Sequence, residues 1–478
     1  MKILFVSSEA VPYSKSGGLA DVSGILPGKI AESEEATLIL PWYESGSTED
    51  QEAKELFSYS VKMGRKELIA EAYSIKRSSS FRVILIRQDL FFARKFIYGS
   101  SESEYHDNFF RFLFFQKAVI GFIETEKTKY DIIHVNDWQS ALIPLYIKLN
   151  KSSLFKKTST LLSIHNMGYQ GTFEHYYFKE MGLPGYYFTP EKLEFYGNIN
   201  FLKGGIIYSD SIVTVSPTYA EEILHPDFSE GLEGVLKKYS GKISGILNGT
   251  DYNTWDPLKD NLIYEKYSIN SIEKKEKNKT RLIKEYKAGF DPSHPLVVSV
   301  TRLAYQKGID RIIKAVKELK NKDISFIILG TGEDQYVKKL KNLEKKHPRF
   351  RFFNIFDEKL SHRLFAAGDI FLMPSRYEPC GLAQMYALKY GTVPIVTSTG
   401  GLNDTVRNVS GDKGTGFKLN PDKDENLSVL IKKAASYYKD KKNWNKIRAR
   451  GMKMDFSWKK PVAEYLKTYK ELIKRRNK

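Results

Sequence analysis

The sequence predicts an α/β protein made of two Rossmann-like domains, each a doubly wound parallel sheet covered by helices. Short apolar runs typical of buried strands alternate with amphipathic stretches typical of surface helices along most of the chain. A polar segment rich in Lys, Glu and Asn interrupts this alternation at residues 251–294. A chain of 478 residues also exceeds what one hydrophobic core normally holds. Together these observations predict two domains with a boundary near residue 250.

The predicted strands form two series, one on each side of the polar segment. The first series comprises residues 2–6, 81–86, 131–135, 160–164, 211–215 and 242–246. The second series comprises residues 296–300, 325–329, 351–354, 370–373 and 393–396. The polar segment is predicted to carry one surface helix at residues 272–286. Residues 44–80 show no clear motif.

The composition narrows the possible classes of protein. A single Cys excludes a disulfide framework and a multi-cysteine metal cluster, and it suits a reducing compartment. No apolar run is long enough to span a bilayer, and the stretch after Met1 is too short for a signal-peptide core. The net charge of +18 would suit nucleic acid, but no nucleic-acid-binding motif accompanies it. We therefore expect a cytoplasmic protein with a Lys-rich surface, and neither nucleic acid nor a membrane as partner.

Two glycine motifs echo each other. Residues 15–22 (Lys-Ser-Gly-Gly-Leu-Ala-Asp-Val) resemble residues 398–405 (Ser-Thr-Gly-Gly-Leu-Asn-Asp-Thr), and each is predicted to open a helix-like segment at matching places in the two series. Paired glycines let backbone N–H groups approach an anion at a helix N-terminus. The echo indicates phosphate or sugar contacts from both domains, and two ordinary strand-to-helix turns are the alternative.

Two polar clusters follow strands of the first series. Asp137 comes after the strand at residues 131–135, where it can either accept hydrogen bonds from sugar hydroxyls or only cap a helix. His165 follows the strand at residues 160–164, with Asn166 and Tyr169 beside it. Because parallel α/β sheets bind ligands at the carboxyl ends of their strands, we favour a functional role for His165. Both interpretations of Asp137 stay open.

A pair of cations follows the first strand of the second series. Arg302 lies just beyond the strand at residues 296–300, and Lys307 precedes a helix. Two cations at a strand end can hold a diphosphate and stabilise its charge as it leaves. We find no Asp-x-Asp pair near a strand end and no Walker-type loop to hold Mg²⁺, so the pattern predicts metal-independent handling of the diphosphate.

The densest cluster follows the strand at residues 370–373. Its polar turn presents Glu378, a carboxylate that can hold sugar hydroxyls. Cys380 lies two residues on, but no His or Asn arrangement is evident to activate it, so we predict that it is not a nucleophile. The turn Gly330-Thr-Gly332 suits the ribose or phosphate of a nucleotide.

In this order, the motifs resemble those of bacterial glycogen synthases and plant starch synthases. The matching residues span most of the chain: 15–19, 136–138, 164–166, 169–171, 248–251, 302, 306–308, 374–382 and 399–402. The resemblance implies a GT-B fold, in which two Rossmann-like domains face each other across a deep cleft. Residues 1–250 would form the acceptor domain and residues 251–455 the donor domain, with a C-terminal helix within 456–478 returning to the first domain.

The resemblance also implies the reaction. The enzyme would be a retaining hexosyltransferase that moves glucose from ADP-glucose to the non-reducing 4-hydroxyl of an α-1,4-glucan, in glycogen biosynthesis and without a metal or other cofactor. Its partners would be ADP-glucose and a glycogen or α-1,4-glucan primer.

Roles carry over to the matching residues. The catalytic residues would be Asp137, His165, Arg302, Lys307 and Glu378. The donor-binding residues would be Lys15, Gly17, Gly18, Asn248, Gly330, Gly332, Cys380, Gly381, Leu382, Thr399, Gly400 and Gly401. The acceptor-side residues would be Asp21, Asn166 and Tyr169.

The sequence departs from the family pattern at three positions. Ser16 stands where Thr is usual, Asn136 where His is common, and Tyr386 where many related transferases have a second Glu. A sucrose-synthase-like transferase using UDP-glucose is one alternative, although residues 15–19 weigh against it. A non-catalytic protein that binds nucleic acid or glucan is another, suggested by the charge of +18. The preference for ADP over UDP rests on the resemblance alone.

Overall fold

The structure, a computed structural model, describes residues 1–44, 52–99, 103–286, 288–320, 322–411, 413–420 and 426–477. It divides into two compact units. Unit 1 comprises Met1–Leu247 and Trp458–Lys478, and unit 2 comprises Asn248–Ser457. No helix in the described part of the chain has the length and apolar character needed to cross a membrane.

Unit 1 contains the first twelve strands that the structure describes. They are β1 (Lys2–Val6), β2 (Glu35–Pro41), β3 (Lys54–Met63), β4 (Lys66–Lys76), β5 (Phe81–Arg87), β6 (Ile132–Asn136), β7 (Ser159–Ile164), β8 (Thr172–Glu174), β9 (Glu194–Phe195), β10 (Asn198–Asn200), β11 (Ser211–Thr214) and β12 (Ile243–Gly245). Nine of them form one sheet in the order β12-β11-β7-β6-β1-β2-β5-β4-β3, and β8-β10-β9 form a small second sheet. In the large sheet, Phe5 of β1 lies between Leu38 of β2 and His134 of β6, in parallel register.

The prediction of a wholly parallel sheet is wrong at one edge of unit 1. The β3–β4 hairpin pairs antiparallel and joins β5 antiparallel. It occupies most of residues 44–80, the segment without a motif, of which residues 45–51 lie outside the described residues. Exposed and buried residues alternate along the end of β3, since one face of this edge strand meets solvent. Polar residues on that face broke the continuous apolar run that marks a buried parallel strand.

Helices cover the large sheet of unit 1. The α-helices are α1 (Gly18–Ile30), α2 (Asp89–Phe92), α3 (Asn108–Glu126), α4 (Ile143–Leu149), α5 (Phe201–Tyr208), α6 (Pro217–Glu222), α7 (Pro226–Ser229) and α8 (Glu233–Lys238). Short 3₁₀ helices occur at His175–Met181, Gly185–Tyr187 and Ser240–Lys242.

Unit 2 is a parallel sheet throughout its described strands. They are β13 (Leu296–Val300), β14 (Ser325–Leu329), β15 (Phe350–Phe353), β16 (Ile370–Met373), β17 (Val393–Thr397) and β18 (Phe417–Leu419), in the order β15-β14-β13-β16-β17-β18. The helices are α9 (Lys275–Glu285), α10 (Ile309–Glu318), α11 (Asp334–Lys346), α12 (Glu358–Ala367), α13 (Ala383–Lys389), α14 (Gly400–Thr405), α15 (Leu427–Lys439) and α16 (Lys441–Met452), with 3₁₀ turns at Ile269–Lys274 and Tyr305–Lys307. The helix predicted at 272–286 is therefore a 3₁₀ turn followed by α9.

The last helix, α17 (Lys459–Arg476), belongs to unit 1. It buries Tyr465, Tyr469 and Leu472 in the core that contains Phe5 of β1. The Tyr469 hydroxyl and Nδ1 of the buried His134 lie 2.8 Å apart, within hydrogen-bond distance. The C-terminal helix thus packs on the first α/β unit, as the fold prediction required.

Each large sheet has a point at which the strand order reverses. β1 lies between β2 and β6 in unit 1, and β13 lies between β14 and β16 in unit 2. Loops from the carboxyl ends of neighbouring strands diverge at such a point and leave room for a ligand. Arg302, Lys307 and Glu378 follow β13 and β16 at the unit 2 point, whereas Asp137 and His165 follow β6 and β7, which lie one and two strands from β1.

The two glycine motifs each begin a helix, α1 at Gly18 and α14 at Gly400. Their places in the two sheets differ, however. The first motif follows β1, at the reversal point, whereas the second follows β17, one strand away from β16. The prediction that they occupy matching places is therefore wrong.

Candidate active site

We call Glu9, Asn136, Asp137 and His165, with the loop at residues 15–18, the unit 1 cluster. Asp137 follows β6 in a left-handed conformation, with φ of 53°, which turns its carboxylate back towards the next strand. Its Oδ1 accepts a hydrogen bond from the backbone N–H of His165 at 2.7 Å. Burial raises the pKa of Asp137 to about 7, and the nearby Glu9 contributes in the same direction. The carboxyl group is therefore poised between its neutral and charged forms near neutral pH.

His165 is held by Asn136, the residue that replaces a common family His. Nε2 of His165 lies 3.0 Å from Oδ1 of Asn136, so the ring donates from Nε2. Asn136 is fixed in turn because its Nδ2 donates to the Val6 carbonyl at 3.0 Å. Burial lowers the pKa of His165 to about 4, which keeps the imidazole neutral at pH 7.

Glu9 is a buried carboxylate that the sequence analysis missed. It is 3% exposed, and its Oε2 accepts hydrogen bonds from the N–H groups of Ser16 and Gly17. Tyr98 donates its hydroxyl to Oε1 at 3.3 Å. Glu9 therefore anchors the glycine loop from beneath. The available signal was an acidic residue three positions after a buried strand.

The glycine loop itself is open. Lys15 forms an ion pair with Asp21 at 2.7 Å, and both side chains are partly exposed. A Cβ at Gly18 would meet nothing within 4 Å, and a Cβ at Gly17 would only touch Glu9 at 3.9 Å. Packing in unit 1 therefore does not explain why these residues are glycines, and their predicted contact with the donor stays a prediction.

The two acceptor-side candidates after β7 lie in the turn that follows His165. Oδ1 of Asn166 accepts the Gly168 N–H at 2.9 Å, which shapes the turn. Tyr169 is 49% exposed, so part of this residue is open to solvent.

We call Arg302, Lys307, Ser375, Glu378 and Cys380 the unit 2 cluster. Its centre is an ion pair between Nζ of Lys307 and Oε2 of Glu378 at 2.6 Å, with both side chains largely buried. The Ser375 hydroxyl donates to the same carboxylate oxygen at 3.0 Å. The predicted diphosphate cation and the predicted sugar-binding carboxylate are thus direct neighbours, which the sequence analysis did not foresee.

Secondary contacts fix the two loops that carry this pair. Arg376 forms a bidentate ion pair with Asp310, through bonds of 2.8 and 2.7 Å. The Arg376 N–H donates to the Gln306 carbonyl at 2.8 Å, and Nε2 of Gln306 donates to the Tyr377 carbonyl. These bonds hold the loop after β13 against the turn after β16, so Lys307 meets Glu378 in one defined geometry.

Arg302 is the exposed cation of the unit 2 cluster. Its guanidinium makes no ion pair with any residue that the structure describes. The turn at Gly330 and Gly332 packs beneath its loop, because a Cβ at Gly332 would lie 2.4 Å from the Leu303 carbonyl oxygen. Close packing of backbone therefore suffices to explain these glycines, and their predicted contact with a nucleotide stays a prediction.

Residues 399–401 and 378–380 also pack backbone against backbone. A Cβ at Gly400 would lie 2.1 Å from the Glu378 carbonyl oxygen, and one at Gly401 would lie 2.1 Å from that of Cys380. Cys380 is 6% exposed, and burial raises the pKa of its thiol to about 12. It is therefore a protonated thiol at neutral pH.

The remaining donor-side candidates surround this turn. Oδ1 of Asn248 is buried and finds no hydrogen-bond donor among the described residues. Gly381 has φ of 69°, and Nε2 of Gln384 donates to its carbonyl at 2.9 Å. Leu382 is the N-cap of α13.

Tyr386, at the place of the second Glu of related transferases, has a packing role. Its ring stacks on Trp255 with centroids 4.0 Å apart and planes at 6°. His362 stacks on the same indole ring at 3.8 Å. The sandwich fastens the segment after Asn248 to α12 and α13, which accounts for an aromatic residue at this position.

Phe356 is a second residue that the sequence analysis missed. It lies between β15 and α12, at the carboxyl edge of the unit 2 sheet, and is 90% exposed. An exposed aromatic ring at this edge offers a stacking face for a planar ligand. The available signal was an aromatic residue directly after a predicted strand.

Comparison with known proteins extends over the whole chain. The family model for the starch synthase catalytic domain matches residues 2–238, and that for glycosyl transferases group 1 matches residues 280–450. A curated glycogen synthase from Thermodesulfovibrio yellowstonii is 39% identical over 100% of this chain and 99% of its own length. A glycogen synthase from Thermotoga maritima is also 39% identical, over 99% of both chains.

Solved structures show the same likeness. The catalytic domain of starch synthase IV from Arabidopsis thaliana, bound to ADP and acarbose, aligns with a TM-score of 0.89 at 29% identity, covering 99% of both chains. A sucrose-phosphate synthase from Thermosynechococcus elongatus aligns with a TM-score of 0.62 at 16% identity, covering 99% of each. The second likeness shows the fold alone.

Proposed function

Because this chain belongs to the glycogen synthase and starch synthase family of glucosyltransferases, we propose that it transfers glucose from ADP-glucose to the non-reducing 4-hydroxyl of an α-1,4-glucan with retention of configuration. Membership confirms the predicted GT-B-like fold and the synthesis of glycogen or starch from a nucleotide-sugar donor, and it does not favour the sucrose-synthase-like alternative. The observation that carries the chemistry is the unit 2 cluster, in which a buried Lys–Glu pair lies in the loops next to Arg302, which forms no ion pair among the described residues.

We assign the donor to unit 2. Arg302 and Lys307 would bind the diphosphate, since both cations follow the central strand β13 at its ligand-binding edge. Glu378 would hold glucose hydroxyls and keep Lys307 extended until the diphosphate arrives. Phe356 would stack on the nucleotide base. ADP as the nucleotide is supported by the starch synthase IV relative, whose structure contains ADP.

We assign the acceptor and the transferred glucose to unit 1. Asp137 and His165 would contact sugar hydroxyls, and Asn166 and Tyr169 would extend the acceptor side. The neutral imidazole, whose Nε2–H is directed at Asn136, can accept a hydrogen bond from a hydroxyl group at Nδ1, and a carboxyl group near its titration point can accept or donate one. Lys15, with Gly17 and Gly18, would line the donor beside them.

The proposed mechanism is substitution on one face of the sugar. The bond between C1 and the diphosphate oxygen breaks while the acceptor oxygen bonds to C1 on the same side. The departing phosphate oxygen takes the proton of the acceptor hydroxyl. Arg302 and Lys307 stabilise the negative charge that builds on the diphosphate. The high pKa of the Cys380 thiol supports a route without a covalent intermediate on that residue.

The positions of Arg302 and Lys307 also bear on whether the reaction needs a metal ion. They stand where metal-dependent transferases need a divalent ion to neutralise the diphosphate, so we propose that the reaction needs no metal. A single Cys suits a reducing compartment and supports a cytoplasmic location.

A radiolabel assay tests the function. Labelled ADP-glucose and UDP-glucose are each offered with glycogen, and the products are digested with enzymes specific for α-1,4 or β linkages. We expect label in α-1,4-linked glucan, faster from ADP-glucose. Faster transfer from UDP-glucose would overturn the donor assignment, a β product would overturn retention, and no incorporation from either donor would overturn the activity.

A further inference from the structure

A groove in unit 1 continues from the acceptor-side residues. It has a volume of about 300 Å³ and is lined by Trp138, Tyr169, Gly171, Glu104 and Glu230 among others. Trp138 directly follows Asp137 in the chain, and the turn that carries Tyr169 is bonded to Asn166. The groove therefore begins where the predicted acceptor contacts end.

The lining of the groove suits a sugar chain. Tyr169 exposes 49% of its surface and offers an aromatic face to the apolar side of a pyranose ring. Glu104 and Glu230 are both exposed, and neither makes an ion pair with any residue in the described ranges. Carboxylates accept hydrogen bonds from hydroxyl groups and repel phosphates. The chemistry thus favours a neutral, hydroxyl-rich ligand over a nucleotide.

The walls of the groove are firmly held. Nε2 of Gln170 donates to the Glu230 carbonyl at 3.1 Å, and Asn200 donates to Oε1 of Gln170 at 2.5 Å. A Cβ at Gly171 would lie 2.4 Å from the Trp138 ring, so the backbone lies directly on the indole. Because its walls are already held in place, this groove binds a ligand without the entropy cost of ordering its own loops.

Tyr196 extends this surface beyond the groove. It occupies the tight turn between β9 and β10 with φ of 50°, which is uncommon for an aromatic residue, and its ring is 80% exposed. A Cβ at Gly231, next to Glu230, would lie 3.5 Å from the Tyr196 ring. A large ring held outward in an unfavourable conformation, next to a groove wall, suggests a binding role.

We propose that this groove and Tyr196 bind the glucose units of the α-1,4-glucan acceptor that lie away from its reacting end. The proposal rests on the proposed function and adds the residues that set acceptor length. Glu104 and Glu230 accept hydrogen bonds from glucose hydroxyls, and Tyr169 and Tyr196 stack on successive parts of the chain. Longer acceptors that reach Tyr196 are therefore the better substrates.

The experiment compares the variants Tyr196→Ala, Tyr196→Phe and Glu230→Gln with the control Tyr186→Ala. Tyr186 is 59% exposed in the same region of the chain, but its ring faces Lys192 instead of this groove. The affinity for maltoheptaose is measured by calorimetry without donor. The KM values for acceptors from maltotriose to maltoheptaose are then measured with saturating ADP-glucose.

We expect Glu230→Gln to weaken maltoheptaose binding roughly tenfold, as for loss of a hydrogen bond to a charged group. Tyr196→Ala should weaken it about three- to tenfold and flatten the fall of KM with acceptor length. Tyr196→Phe should retain both properties, and the control should match the wild type. Unchanged binding in Tyr196→Ala and Glu230→Gln would overturn this inference even if transfer proceeds. Weakened binding would support it even if ADP-glucose proved to be the wrong donor.

Discussion

The unit 1 and unit 2 clusters both lie at the carboxyl ends of parallel strands, yet their electrostatics are opposite. In unit 1, burial raises the pKa of Asp137 to about 7 and lowers that of His165 to about 4, so both groups tend towards neutrality. In unit 2, Lys307 and Glu378 are also largely buried but form a direct ion pair at 2.6 Å. Burial without an opposite charge favours the neutral form of a group, whereas a direct ion pair offsets part of the cost of burying two charges.

The glycine motifs beside the two clusters also differ in how closely they are packed. Space around Gly18 is open, whereas Gly400 and Gly401 are pressed against the carbonyl groups of the turn after β16. The unit 1 loop can therefore admit a ligand to its backbone, while the unit 2 glycines support the turn that holds Glu378. The contrast supports the proposed division, in which unit 1 would contact neutral sugar hydroxyls and unit 2 would stabilise the charge of the leaving group.

The largest expected effect comes from removing the buried cation of unit 2. Lys307→Ala should lower kcat about a hundredfold to a thousandfold at saturating donor, because one electrostatic contact to the leaving group is lost. It should also lower the melting temperature, since Glu378 is left buried without its cation. Steady-state kinetics and thermal unfolding measure both. Lys314→Ala, on the exposed face of α10, is the control and should change neither. A normal kcat in Lys307→Ala would contradict the role of unit 2.

Within the turn after β16, replacing the charged residue Glu378 should reduce activity much more than replacing the uncharged residue Cys380. Glu378→Ala should reduce transfer roughly ten- to hundredfold, as for a lost charge-assisted hydrogen bond to substrate. Cys380→Ser should cost far less, because it removes no charge and no thiolate is present. Activity with ADP-glucose and glycogen is measured together with the melting temperature of each variant. Trapping of a glucosyl adduct on Cys380 would refute the proposed mechanism.

Because burial favours the neutral forms of Asp137 and His165, the two residues should give opposite pH dependences of the free energy of unfolding. The raised pKa of Asp137 stabilises the fold below pH about 4, its unfolded value, and this stabilisation is lost as pH rises through about 7. The free energy of unfolding of the wild type, relative to Asp137→Asn, should therefore fall over this range. The lowered pKa of His165 acts in the opposite direction, so the wild type relative to His165→Asn should gain stability from pH about 4 to about 6.5.

Urea denaturation across this pH range measures both differences. A constant difference for Asp137→Asn would mean that its carboxyl group is not held neutral by burial. If the two stability differences changed with pH in the same direction, burial would not be acting oppositely on the acid Asp137 and the base His165.

The smallest expected effect is that of metal removal. Because Arg302 and Lys307 supply positive charge, transfer in excess EDTA should stay within about twofold of the untreated rate, well below the effect of losing a required ion. The assay compares EDTA-treated protein with and without added Mg²⁺. Complete loss of activity that Mg²⁺ restores would show that the unit 2 cations do not suffice.

Much of the fold was predictable because parallel strands are continuous apolar runs. β1, β13, β14 and β16 have the predicted bounds, since each is buried on both faces and ends at small or polar residues. The β3–β4 hairpin was not predicted because many of its residues are polar and exposed, so it lacks the continuous apolar run of a buried strand. Strand order could not be predicted either, because it depends on which faces the helices cover.

The sequence predicted individual residues of the candidate site but not which of them contact one another. The Lys307–Glu378 pair joins residues 71 positions apart, and only the adjacency of β13 and β16 brings them together. Glu9 was missed because its role depends on two backbone N–H groups, which a sequence does not display. The pKa of Asp137 depends on burial at a strand end, so the sequence left its interpretation open.

The most direct test of the division between the two units is the single-turnover rate of Arg302→Ala with saturating ADP-glucose and glycogen. Arg302 is exposed and makes no ion pair among the described residues, so its removal should leave the fold intact and act on the ligand alone. The account predicts a rate about a hundredfold below that of the wild type even when donor is saturating, because the lost charge stabilises the departing diphosphate. A wild-type rate once the donor site is filled would show that Arg302 only aids binding, and would contradict the claim that unit 2 stabilises the leaving group.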